Sequence, residues 1–330
     1  METTPHAVRP SSGSRLAGLL DCLWHGSPPL TAAGVLMVIV AGASVVGLLV
    51  DPRVITGAPA WLKPFKFAVS TAIYSLTLAW IFGWLSDWPR VRRAVGWVTA
   101  VVFVLEVAII DVQAWRGTTS HFNVSTRLDM ALFSVMGTAI VLQTLISVGV
   151  AIALWRQHFT DSTLGWALRL GMTLTIVGAF TGALMTRPTA GQLAVARAGG
   201  PMPVVGAHTV GGPDGGPGLP VTGWSREHGD VRVPHFVGLH AIQALALIAV
   251  ALRRWRRPEA VRIKAVLVAA SSYAALFLLL LWGALRGDSL AAPDATALVA
   301  IAIWALVSML ALVRIGSRAV SERAGGVIVS

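Results

Sequence analysis

Apolar positions in this chain do not alternate and do not follow a narrow helical stripe. They come in long, nearly unbroken runs: Leu30–Val50, Phe67–Leu85, Val95–Trp115, Leu128–Leu154, Gly165–Met185, His235–Leu252, Ala265–Leu285 and Ala295–Val313. A helix crossing ~30 Å of hydrocarbon needs about 20 mostly apolar residues, so each run predicts one membrane-spanning helix. The expected fold class is therefore all-α, a polytopic transmembrane helix bundle of about eight spans. The fourth run is long enough to be tilted or to project from the bilayer. Ahead of the first run, Leu16, Leu19, Leu20, Leu23 and Trp24 recur at helical spacing, which predicts an interfacial helix ending near Pro28-Pro29. The organisation that follows is an N-terminal segment over 1–29, a bundle over 30–313 and a tail over 314–330.

Composition agrees with the pattern. Hydrophobic residues make up 55% of the 330 and charged residues only 12%, about half of what a water-wetted surface requires; the mean hydropathy is +0.72. The net charge of +11 sits in short clusters between apolar runs, which fits anionic lipid headgroups and speaks against nucleic acid as a partner. Cys22 is the only cysteine, so an intrachain disulfide and cysteine-ligated zinc or iron–sulfur centres are excluded. The first run is longer than the apolar core of a signal peptide and reads as a retained span.

Charge distribution also predicts orientation. With the N-terminus in the cytoplasm, inner segments hold 15 Lys and Arg and outer segments 10, with Arg169 snorkelling inward from the fifth span. The strongest contribution is RRWRRPEAVRIK (residues 253–264). Arg9, Arg318 and Arg323 count among the inner residues. Both termini are then inside, and the expected location is the bacterial cytoplasmic membrane. Trp84, Trp88, Trp97, Trp155, Trp166 and Trp255 fall at one interface of that arrangement, Trp61 and Trp115 at the other.

On this topology four polar segments share the outer side: APAWLKPFKF, EVAIIDVQAWRGTTSHFNVST, MTRPTAGQ, and the run from Gly206 to Gln243. They carry His121, His208, His228, His235 and His240, five of the eight histidines, whereas His6, His25 and His158 fall in inner segments. The one long connection, residues 186–234, holds nine glycines and five prolines between Gly199 and Gly223. It also interleaves His208, Asp214, Trp224, Glu227 and Asp230, which a plain spacer does not need. It is expected to be an ordered extracytoplasmic cap.

Glu106 stands about nine residues inside the third span, where an unpaired ionised carboxylate costs several kcal/mol. Such a group is either a protonated, hydrogen-bonded structural carboxyl or one that handles a proton, an ion or a metal. Gln113 shares its helix face; Asp111 points about 140° away, and both can reach the outer interface. His235 and His240 are five residues apart, about 500° of helix rotation, so one helix face cannot clamp a metal between them. His240 shares a face with Gln243 and needs a partner from another element. It is the first candidate ligand, with His121 or His208 to supply an opposing imidazole and His235 as a cap or interfacial group. Asp214, Asp230 and Arg232 read as turn residues and loop-ordering ion pairs. Lys63 and Lys66 read as headgroup anchors, and Gly178-Ala-Phe-Thr-Gly182 as a close-packing helix face.

The strings WLKPFKFAVSTAIYSLTLAW, RGTTSHFNVST, HTVGGPDGGPGLP and GDVRVPHFVGLHAIQ resemble a family of bacterial polytopic membrane proteins, from about Asp51 to Leu252. The resemblance carries no activity. It implies that His121, Asn123, His208, Asp214, Asp230, Arg232, His235, His240 and Gln243 belong to a shared pattern.

Three functions follow as expectations. The first is a site at the outer face where His240 with His121 or His208 ligates haem b or a divalent metal ion, and Glu106 or Asp111 handles protons. The second is a proton-coupled permease with Glu106 as its titrating group; continuous helices and the lack of an internal repeat argue against it. The third is a membrane enzyme acting on lipid.

Overall fold

The computed structural model describes residues 15–325, with side chains up to residue 315. His6 and Arg9, and the side chains of Arg318 and Arg323, lie outside the described residues. Among those described, seven helices are long and apolar enough to cross a membrane, and a bent pair of helices makes up to eight. The chain divides into two compact units, Met1–Gln157 and His158–Ser330.

The first unit opens with α1 (Arg15–Gly26), the helix expected at the start. Leu16, Leu19, Leu20 and Trp24 are exposed on it, and Leu23 is buried. Pro28 and Pro29 then begin α2 (Pro28–Val50), where their missing N–H groups cost nothing. A two-residue hairpin joins β1 (Val54–Ile55) to β2 (Ala58–Pro59) through positive φ at Thr56 and Gly57. Next come α3 (Leu62–Phe82), α4 (Pro89–Trp115) and α5 (Arg127–Arg156). At 30 residues α5 is about 45 Å long, which bears out the expectation that this helix exceeds the hydrocarbon thickness. Met37, Ala41, Ala68, Ala72 and Val107 form the centre of α2, α3 and α4. Small residues let these helices approach closely: a β-carbon at Gly34 would lie 2.6 Å from the Leu76 side chain.

The second unit contains α6 (Ser162–Phe180), α7 (Gly182–Met185), α8 (Ala190–Arg197), β3 (Thr209–Val210), β4 (Gly229–Asp230), α9 (Arg232–Leu239), α10 (Ala241–Leu252), α11 (Glu259–Arg286) and α12 (Ala295–Gly325). The continuous sixth helix expected over His235–Leu252 is not there. It breaks at His240, and α9 and α10 meet at 44°. The fifth span is interrupted as well, at Thr181 between α6 and α7.

Side chains meet backbone groups at both places, as is needed where water is excluded. Thr175 Oγ1 donates to Leu239 O (3.3 Å) and accepts from Ile242 N (3.2 Å), bridging the break in the neighbouring helix pair. Tyr273 on α11 donates its hydroxyl to Val237 O. Gly178 O accepts from Thr181 N (3.2 Å), Thr181 Oγ1 (2.6 Å) and His235 Nδ1 (3.0 Å).

The glycine- and proline-rich connection carries its own local hydrogen bonds. A capping box starts α8, with Thr189 and Gln192 exchanging side-chain and backbone hydrogen bonds. The Gln192 amide also binds both backbone groups of Gly206, at 2.9 and 3.0 Å. Farther on, β3 pairs antiparallel with β4, Thr209 opposite Asp230. Gly229 N donates to Gly287 O (2.8 Å), tying the connection to the end of α11. No β-carbon fits at Gly229, because it would stand 2.1 Å from Ala284 O.

Candidate functional site

In the first unit the sequence-predicted residues sort into a support and the group it holds. Asp129 is the centre of the support. It lies in the first turn of α5, 2% exposed, and its carboxylate accepts from Gln113 Nε2 (2.9 Å), Arg116 Nη1 (2.7 Å) and Thr126 Oγ1 (2.6 Å). Thr126 in turn caps the helix by accepting from Asp129 N. Arg116 also donates to Gln113 Oε1. Asn123 closes the loop 116–126 on itself, donating to Thr118 Oγ1 (2.9 Å) and Thr119 O (3.1 Å) and accepting from Ser125 Oγ (2.6 Å). Gln113 and Asn123 thus hold the loop rather than face a ligand.

The residue so held is His121. Its ring stands 5.6 Å from Phe67 and 6.1 Å from Phe122. Lys63 Nζ and Ser120 Oγ lie 3.0 and 3.1 Å from Nδ1, and Nε2 is 3.5 Å from Glu106 Oε1. An ammonium only donates, so with Lys63 charged Nδ1 accepts and the ring proton sits on Nε2, facing the carboxylate. Glu106 is 2% exposed, and its Oε2 is buried with no hydrogen-bond partner among the described residues. The His121 side chain is 22% exposed. The arrangement therefore has a floor, Glu106, and a mouth, His121 with half-buried Lys63. Asp111 takes no part in it; its Oδ1 is buried and likewise lacks a partner.

In the second unit the candidates fall into three separate groups. His208 Nδ1 lies 2.8 Å from Asp214 Oδ2, and the same carboxylate accepts from the backbone of His208 and Thr209 and from Thr209 Oγ1. Burial pushes the Asp214 carboxyl up. The hydrogen bonds and the charge of His208 outweigh it, and the group is held well below the usual carboxylate range. Asp230 accepts from Ser225 N (2.8 Å) and from Arg232 Nε and Nη2 (2.9 and 2.6 Å), while Arg232 also reaches Gly223 O (2.7 Å). This is the loop-ordering ion pair expected of the two residues.

His235 and His240 belong to the broken helix. A carbonyl can only accept, so His235 donates from Nδ1 to Gly178 O. His240 is the junction residue itself (φ −93°, ψ 7°), its ring 4.3 Å from Phe236. Gln243, one turn on, is half-buried on the same side as His240. Among the described residues no three His, Cys, Asp or Glu side chains gather in a way that could hold a metal ion.

Compared with known proteins, the chain matches no family model, no curated protein and no solved structure.

Sequence reasoning passed over Lys63 and Asp129. Lys63 has the look of a headgroup anchor, and only the fold sets its ammonium on a ring 58 positions away. Asp129 was legible, because Thr126-x-x-Asp129 ahead of an apolar run is a helix-start signal.

Proposed function

We propose that this protein is a proton-coupled permease in which Glu106 takes up and releases the proton, with His121 and Lys63 as its partners. The observation that carries the reading is the buried carboxylate at the end of a Lys63–His121 relay, inside a helix long and apolar enough to span a membrane. Ionisable groups at such depth are expensive and mark ion or proton pathways. The relay offers a path for the proton, since Nε2 faces Glu106 while the other face of the ring meets Lys63. The bent pair α9 and α10 of the second unit adds support, because broken helices are the usual building element of transporter binding sites.

We place the protein in the bacterial cytoplasmic membrane with both termini inside and residues 186–234 outside. The excess of Lys and Arg in the segments assigned to the cytoplasm supports this. The test is infrared difference spectroscopy of the protein in lipid nanodiscs across a pH step. A protonated-carboxyl band is expected in the wild type and not in Glu106→Gln. The same variant should fail to complement a deletion strain. A spectrum and a growth phenotype both unchanged in Glu106→Gln would sink the proposal.

A second reading, metal or haem ligation, has one favouring observation. Asp214 meets His208 at Nδ1, and a carboxylate on one ring nitrogen is what orients metal-bound histidines. Metal analysis and an absorption spectrum of the purified protein decide it: stoichiometric metal or a Soret band lost in His208→Ala supports ligation, and neither signal removes it.

A further inference from the structure

We propose that the Lys63–His121–Glu106 site binds a small oxyanionic group, a carboxylate or a phosphate, and that binding draws one proton onto Glu106. This rests on Glu106 being the titrating group and adds what exchanges with its charge. Lys63 and His121 form the half-open mouth and Glu106 the buried floor. With Glu106 ionised, the imidazole N–H faces the floor and the Lys63 ammonium is turned to Nδ1. Two anions a few ångström apart at a poorly hydrated site repel strongly. Uptake of a proton by Glu106 removes that repulsion. The incoming proton enters at His121 Nδ1 and the Nε2 proton passes to Glu106, so that the Nδ1–H and Lys63 serve the incoming oxyanion; the site stays electrically neutral: Lys63⁺ with Glu106⁻ before, Lys63⁺ with the bound anion after.

The surrounding charges leave this exchange intact. On the helices packed against α4, the ionisable groups are Lys63, Lys66 and Tyr74 of α3, Arg127, Asp129 and Arg156 of α5, and Asp51 just beyond α2. Asp129 is ion-paired with Arg116, and Asp51 with Arg53. Asp111, five residues beyond Glu106 on α4, is about 140° round the helix from it.

Linkage of one proton to one anion has a definite signature. The apparent Kd for the anion rises up to tenfold per pH unit wherever Glu106 is ionised, and is flat where it is protonated. The probe is acetate, whose charge is constant between about pH 6 and about pH 8, so that only the protein titrates. Acetate binding to the protein in phosphatidylcholine nanodiscs is measured by equilibrium dialysis. Infrared difference spectra are recorded as acetate is perfused. A second arm replaces acetate with phosphatidylglycerol in the nanodisc, to separate a free anion from a lipid headgroup.

The expected result is a protonated-carboxyl band that grows with acetate or with phosphatidylglycerol and is missing in Glu106→Gln. That variant should still bind the anion, with an affinity that no longer depends on pH. Lys63→Met should lose binding and Lys63→Arg keep it; if Lys63→Met fails to fold, the wild-type spectra and Glu106→Gln still decide. A Glu106 band that responds to pH and to neither anion overturns this inference while leaving the titrating role intact. A Glu106 that gives no pH-dependent band overturns that role. Unchanged binding in a folded Lys63→Met also overturns the inference.

Discussion

Gly178 and Gly238 meet backbone to backbone: a β-carbon on Gly178 would stand 2.4 Å from Gly238 Cα, and one on Gly238 equally close to Gly178 Cα. This contact is where α6 crosses α9, beside the interruption at Thr181 and just before the break at His240. It brings His235 to Gly178 O and Thr175 to Leu239 O.

Because backbone, not a flexible side chain, occupies the space, Gly178→Ala forces the two helices apart. A cost of about 1–3 kcal/mol is expected for overpacking at a tight contact. Thermal unfolding in detergent should show a clearly lowered midpoint, with Gly42→Ala, where nothing lies within 4 Å, as the control that leaves it unchanged.

Thr175→Val keeps the shape of the side chain but leaves Leu239 O and Ile242 N without their shared partner. A buried unsatisfied group costs about 1–3 kcal/mol. Hydrogen exchange at residues 241–243 should become faster in Thr175→Val and return towards wild type in Thr175→Ser. Unchanged exchange would mean that the break is held by the glycine contact alone.

Asp129→Ala removes the acceptor shared by Gln113, Arg116 and Thr126 and leaves the Arg116 charge without its carboxylate. Breaking a buried pair from one side costs about 3–5 kcal/mol; Arg116 is partly exposed, so the lower end is expected here. The loop 116–126 should become sensitive to protease. His121 loses its position with it, so the Glu106 infrared band should shift even though neither residue was changed.

Asp214 makes the connection 186–234 acid-sensitive. Its folded-state carboxyl is held below the usual range, so its contribution is complete above the unfolded value of about 3.9 and is lost as pH falls from there towards the folded one. Exchange at the amides of His208 and Thr209, both donors to Asp214, should accelerate relative to the rest of the unit below about pH 4. Asp214→Asn should exchange fast at every pH and show no such step.

The membrane-spanning helices were legible because hydrocarbon makes a demand that sequence alone can meet. About 20 apolar residues in a row have few other uses. The end of the first helix near Pro28-Pro29 and the close-packing face at Gly178 and Gly182 rest on local backbone chemistry and were equally readable. The Asp230–Arg232 pair was too, since its members are two residues apart. The break at His240 was not: Gly238 is the one poor helix former between His235 and Leu252, and a lone glycine costs only about 1 kcal/mol and is tolerated inside a helix. That helix breaks where Thr175 and Tyr273, on other helices, supply hydrogen bonds to the groups it releases. The same holds for the candidate site. Glu106 drew attention by its depth in an apolar run, a one-dimensional signal. Its partners did not, because the distance from Lys63 to His121 is set by how α3 meets the loop after α4. The sequence determined which segments leave water; the contacts between them decided which polar groups share a site.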